Sequence, residues 1–178
     1  MSKWNNFFLQ KMGVDSSENP YPVKESVAAW GIFCKDIPFK LMEKVKEPAG
    51  RNWHDEHGCD EFIPSTGLYV DAYEMTVELA CKKLSSKEAT TYGVSVSDVR
   101  TKVNTFLTYL RQSGMMKMYS THTGIGRQDV RFVSVDNNAK WEKQDGVEFL
   151  VFSVTFKVND PITDIILTPT NNVNTTTS

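Results

Sequence analysis

The chain has 178 residues and a formal net charge of −2, with 40% of its residues hydrophobic and 24% charged. That balance sets aside wholesale disorder, and the length suits one domain that buries roughly 70% of the surface its unfolded chain exposes. So small a net charge gives no strong field to draw in nucleic acid or an anionic membrane, and no apolar run approaches the ~18 residues of a membrane span.

Residues 1–28 mix aromatics (Trp4, Phe7, Phe8) with the turn-forming "DSSENPYP", and Pro20 and Pro22 break any helix there. We read them as an N-terminal arm that docks through its aromatics or folds back on its own domain. The opening "MSKWNNFFLQKMG" carries no cleavage pattern, so no secretory leader is expected. The body of the domain is expected over 29–167, followed by a flexible tail, 168–178, with little to bury. In "WGIFCKDIPFKLM" a short apolar strand is expected, and Pro38 marks an edge or bulge. Cys34, Cys59 and Cys81 are odd in number and far apart, which suits a reducing compartment better than a disulfide framework.

The clearest strand is "YEMTVELAC". Tyr73, Met75, Val77, Leu79 and Cys81 fall on one face and Glu74, Thr76 and Glu78 on the other, so one face is buried and one wet. Leu68, Val70 and Ala72 alternate in the opposite phase, which predicts a bulge or bend near Ala72. A polar connection then leads to "SVSDVRTKVNTFLTYLRQSG", where Val99, Val103, Phe106, Leu107 and Leu110 share one helical face. Ser95 with Asp98, or Ser97, would cap its start; Arg111 suits its last turn and Gly114 its stop. Three strands follow, in "MMKMYS", "VRFVSV" and "GVEFLVFSVTFKV", with "DNNAKWEKQDG" as the turn between the last two. The expected fold is mainly β within the α+β class: an antiparallel β-sandwich with one amphipathic helix packed against it.

One cluster invites chemistry. "RNWHDEHGCDEFIP" crowds His54, His57 and Cys59 among Asp55, Glu56, Asp60 and Glu61. A structural zinc site usually joins two separated ligand pairs, and here no second pair exists; the H-E-x-x-H helix is absent as well. The carboxylates do not follow the spacing of a calcium loop. The cluster therefore reads as a charged loop between two strands, its ends anchored by Trp53 and Phe62–Ile63, with His54, His57 and Cys59 the weak metal candidates. "TGIGRQ" lacks the third glycine of a dinucleotide fingerprint and reads as a turn, while Arg127 and Arg131 suit surface or inter-subunit pairing more than phosphate. No nucleophile elbow or oriented Cys/His pair is present, so neither catalysis nor a cofactor is expected. Candidates for a subunit interface are Trp53, Asp55, Glu56, Asp60, Glu61, Phe62, Arg127 and Arg131.

Taken in order, the charged loop, "AYEMTVELACK", the helix ending "FLTYLRQSG", "MKMYSTHTGIGRQDVRFVSVD" and the closing "VEFLVFSVTFKVNDP" form a pattern over roughly residues 30 to 165. It resembles the distal tail proteins of tailed bacteriophages, whose N-terminal domain is similar in fold to tail tube proteins, and short tail proteins from phages of Bacteroidetes hosts. The matching positions are Tyr73 to Cys81, Phe106 to Leu110, and Phe156 to Pro161. The resemblance implies a tail-tube type sandwich and a structural virion subunit that forms a ring, usually of six, around a channel. Its partners would be copies of itself and neighbouring tail or connector proteins, with DNA passing unrecognised and no membrane involved. Such a subunit would be assembled in the host cytoplasm and reside in the tail or neck of the virion. The chain ends soon after "NDPITDIILTP", without the second domain of many distal tail proteins, and the N-terminal arm has no counterpart. Both departures leave room for a tube subunit, a tail terminator, a head-completion or connector ring, or an adaptor that forms no ring.

Overall fold

Strand β6, Tyr73–Lys82, carries the alternation seen in the sequence: Tyr73, Met75, Val77, Leu79 and Cys81 are buried, and Glu74 and Thr76 face solvent. A computed structural model describes residues 4–83, 99–136, 138–144 and 147–168. In it β6 pairs antiparallel along its whole length with β10, Val147–Val158, from Tyr73 opposite Val158 to Lys82 opposite Phe149. Both strands send alternate side chains inward, and outside them the hydroxyls of Thr76 and Thr155 meet at 3.1 Å.

The remaining strands are β1 (Phe7–Lys11), β2 (Lys24–Glu25), β3 (Ile32–Cys34), β4 (Gly50–Arg51), β5 (Asp60–Glu61), β7 (Met115–Ser120), β8 (Gly126–Val135) and β9 (Lys140–Gln144). The main sheet runs β2-β1-β7-β8-β10-β6-β3, and β9 pairs with the outer half of β10. Every pairing in it is antiparallel. The sheet curls until its ends meet: Asn5, just before β1, exchanges both backbone hydrogen bonds with Cys34 of β3, at 2.7 and 2.8 Å. This bridge closes the sheet around an interior filled by side chains, while β2 and β9 each pair on one side only among the described residues. The class is mainly β within α+β, as expected, with opposed walls of one curled sheet enclosing the core.

The helix expected after the long connection is α2, Val99–Ser113. Val99, Val103, Phe106 and Leu110 are buried along one face, and Gly114 follows at φ +64°, the left-handed conformation that stops a helix. The proposed capping residues Ser95, Ser97 and Asp98 lie outside the described residues, as does most of the tail. A second helix, α1 (Ser26–Trp30), was not foreseen; it is a single turn closed by Gly31, whose N–H donates to the Val27 carbonyl at 2.7 Å. Phe106 joins the layers, meeting Trp30 at 5.2 Å and Phe7 at 6.4 Å between ring centroids.

Two expectations are corrected. The boundary expected at residue 29 would cut α1, and from residue 4 on the N-terminal segment takes the second of its two readings and folds back on its own domain: β1 pairs along β7, and Phe7 and Leu9 are buried. The opening aromatics dock on their own sheet, because β1 is covered on both faces: Phe8, on the opposite side from Phe7, stacks on Tyr119. Residues 140–144, read as part of a turn, form β9, which pairs antiparallel with β10.

Candidate assembly surface

Between β3 and β6 the chain leaves the sheet. Residues 44–51 and 60–71 run antiparallel to each other as a two-stranded ribbon. The Lys46 N–H donates to the Tyr69 carbonyl at 2.7 Å, Asp71 to Lys44 at 2.9 Å, and Phe62 to Ala49 at 2.8 Å. Val45 bridges Val70, and β4 pairs with β5 through Gly50–Glu61 and Arg51–Asp60. At strand geometry the stretch from Lys44 to Arg51 spans about 23 Å. Gly50 is required by close approach, since a Cβ there would meet Cys59 Sγ at 3.0 Å and the Asp60 carbonyl at 3.2 Å. The bend expected near Ala72 is therefore the exit from this ribbon into β6, and Leu68, Val70 and Ala72 belong to the ribbon.

Not one residue from 40 to 72 is buried. Leu41, Met42, Phe62, Ile63, Leu68 and Tyr69 are all exposed, Phe62 to 71%. On a chain that buries Phe7, Phe106 and Phe156 almost completely, this is an unusual concentration of wet apolar surface. A cavity of about 280 Å³ opens between the ribbon strands, lined by Pro48, Phe62, Pro64, Leu68 and Tyr69 among others.

The crowded cluster of the sequence occupies the ribbon tip. Residues 52–59 link β4 to β5, so His54, Asp55, Glu56, His57 and Cys59 sit in the connecting loop and Asp60 and Glu61 in β5; all are exposed. Among the described residues no group of three or more His, Cys, Asp or Glu side chains is placed to hold a metal ion. The expected anchors do not anchor. Trp53 is 47% exposed and lies under the Arg51 guanidinium at 5.7 Å, and Phe62 and Ile63 point to solvent. The ends of the loop are held by main-chain pairing in the ribbon instead, which leaves the aromatic surface free.

Arg127 is not a surface residue. Its side chain is 4% exposed; Nη1 pairs with Asp164 and Nη2 donates to the Lys40 carbonyl at 3.4 Å. It ties the closing segment, residues 160–168, and the root of the ribbon to β8. Its partner lies 37 residues on, which is why spacing gave no sign of it. Arg131 is half-buried, with a long 3.4 Å hydrogen bond from Nη1 to the neighbouring Phe132 carbonyl. Beside it lies a residue that sequence reading assigned only to the helix dipole: Arg111, exposed in the last turn of α2. Both arginines line a shallow groove of about 370 Å³ with Leu110, Gly114, Met115 and Phe132.

The thiols differ sharply. Burial, with some help from Asp36, pushes Cys34 up to about 12, so it has no thiolate character near neutrality, whereas Cys59 is exposed at the ribbon tip.

No protein-family model matches the chain, and no curated protein matches it. Among the described residues no helix is long and apolar enough to cross a membrane.

Proposed function

We propose that this chain is a structural subunit that assembles with copies of itself, as a ring in the tail or neck of a tailed bacteriophage. The observation that carries the assembly reading is the excursion that contains the ribbon: 33 consecutive residues, 40 to 72, with none buried and a row of exposed apolar side chains. An isolated two-stranded ribbon is marginal in water, and its apolar residues gain roughly 1.5–3 kcal/mol each when covered. The mainly β fold with a helix against the sheet agrees with the tail-tube type of domain that the sequence resembles, and the phage and hexamer parts of the reading rest on that resemblance. Neighbouring tail or connector proteins are the further partners, and DNA passes the ring without being read. The work is assembly; no cofactor or reaction is involved.

Light scattering with negative-stain imaging across a concentration series tests this. Rings or discrete oligomers are expected, and a Phe62→Ser/Leu68→Ser variant should be monomeric with an unchanged fold by circular dichroism. A wild-type chain that stays monomeric at high concentration, and does not assemble when tail partners are added, refutes it.

A further inference from the structure

The ribbon tip and the groove beside α2 carry opposite charges that no ion pair among the described residues takes up; Arg51, opposite Asp60 across the ribbon, lies over Trp53 instead. Among the described residues the ion pairs are Lys35–Glu78, Lys40–Glu43 and Arg127–Asp164, so neither Asp60 nor Glu61 in β5, nor Arg111 nor Arg131 at the groove, has an ionic partner. The apolar surfaces match as well. Phe62 follows Glu61 directly and is 71% exposed; the groove floor offers half-buried Phe132 above the core residue Leu110, with Met115 41% exposed at its edge.

We infer that the Asp60-Glu61-Phe62 segment of one copy docks in the Arg111/Arg131 groove of the next, an assignment that rests on the self-assembly reading. Carboxylates take guanidinium groups in paired hydrogen bonds. Alternation along β5 puts Asp60 and Glu61 on opposite faces of the strand, so a strand lying in the groove turns one acid toward each side of it. Met115 is directly opposite Arg131 on β7, and Lys157 directly opposite it on β10, which adds a third cation; Glu74, opposite Lys157, is the carboxylate one strand further along. Phe62 covers the apolar floor, and the arginines form the polar rim.

The geometry sets the mode of assembly. The ribbon leaves the sheet at the start of β6, and the groove lies across β10 on β8, β7 and the end of α2. Two different patches of one chain then meet in a head-to-tail contact, which closes into a ring if the rotation permits and otherwise runs on as a filament. Two copies docked ribbon to groove reciprocally form the smallest closed assembly, a two-fold dimer, and species beyond the dimer mark larger ones.

Charge-reversal and cysteine variants, with wild-type controls, test the assignment. Arg111→Glu/Arg131→Glu and, separately, Asp60→Arg/Glu61→Arg should each weaken association roughly 30-fold or more while keeping the wild-type circular dichroism spectrum. Mixing the two should restore assembly, because each ribbon then finds a groove of opposite charge. If Arg131→Glu perturbs folding, Arg111→Glu alone serves, with a smaller loss. The native thiol gives an independent readout: Met115→Cys should cross-link to Cys59 of the next copy under mild oxidation, giving a ladder of dimers, trimers and higher species whose peptide map contains the 59–115 disulfide. The ladder should vanish when Cys59→Ser is added. Wild-type assembly with undiminished assembly of both charge variants, or a ladder without the 59–115 link, overturns the docking assignment and leaves self-assembly standing. A monomeric wild type overturns both.

Discussion

Gly126 opens β8 where the closing segment crosses it, and replacing it with alanine tests what holds that segment down. A Cβ at Gly126 would press into the Ile165 carbonyl oxygen, closer than real Cβ atoms come, and would also meet Tyr119 Cδ2 at 2.9 Å and Ile165 Cγ1 at 3.0 Å. The first neighbour is backbone, so no rotamer relieves the clash and residues 164–166 must move away. Three interactions depend on their position: the Ile165 N–H to the Gly126 carbonyl at 3.3 Å, the Arg127–Asp164 ion pair, and the burial of Leu167, which is 7% exposed. A backbone hydrogen bond is worth about 1 kcal/mol, a half-exposed ion pair about 1, and a buried leucine about 2. Complete release costs about 4 kcal/mol, and partial displacement about half of that. For a domain of this size Gly126→Ala should lower Tm by roughly 5–15 °C. Urea unfolding followed by tryptophan fluorescence measures the loss, and the same substitution in a chain ending at Asn159 locates its origin. If Gly126→Ala costs less than about 1 kcal/mol, or costs as much without the closing segment as with it, the clash does not act through that segment.

Arg127 and Asp164 should respond unequally to substitution. Asp164→Ala leaves a buried guanidinium without its ionic partner and should cost about 2 kcal/mol, whereas Arg127→Met removes the buried charge, releases an aspartate that is already 77% exposed, and should cost less; chemical denaturation of the two variants checks the order. Asp160 predicts an acid transition. Burial raises its pKa, but the hydrogen bonds it accepts from Thr163, Gln128 and Ile162 outweigh that and bring it down to about 2. A folded-state value below the unfolded one stabilises fully above about pH 4 and is lost as pH falls toward 2; for a group only partly buried the contribution is under about 1 kcal/mol after solvent screening, and Asp160→Asn should flatten the wild-type stability curve in that window. The thiols should divide in native alkylation, with Cys59 labelled quickly and Cys34 and Cys81 labelled only on unfolding, as mass spectrometry of the labelled chain would show.

What was legible in the sequence was legible because it is periodic. The alternation in β6 and the helical face of α2 each belong to an element with one covered side, and a buried face imposes a period. Phe7, Phe8 and Leu9 show no such period, because β1 is covered on both faces, and a short continuous apolar run does not say what it pairs with. The ribbon was invisible for another reason. Its strands are held by main-chain bonds between residues such as Lys46 and Tyr69, with no buried side to impose a pattern on the residues.

The candidate site divides along the same line. The acids and aromatics of the ribbon tip are contiguous, so they could be named before any fold was known. Their proposed counterpart could not, because Arg111 closes a helix and Arg131 lies within β8, and only the turn at Gly114 into β7 brings the two to one groove. Anchoring aromatics were expected at the loop ends on the premise that a charged loop needs apolar pins. Main-chain pairing supplies the pins instead, and it leaves Phe62 and Ile63 exposed where an apolar partner surface can reach them. Exposed apolar residues on a segment that its own backbone already holds have no folding role to explain them. Their use has to be sought outside the chain, and that is why the ribbon, and not the histidines at its tip, is the feature to mutate first.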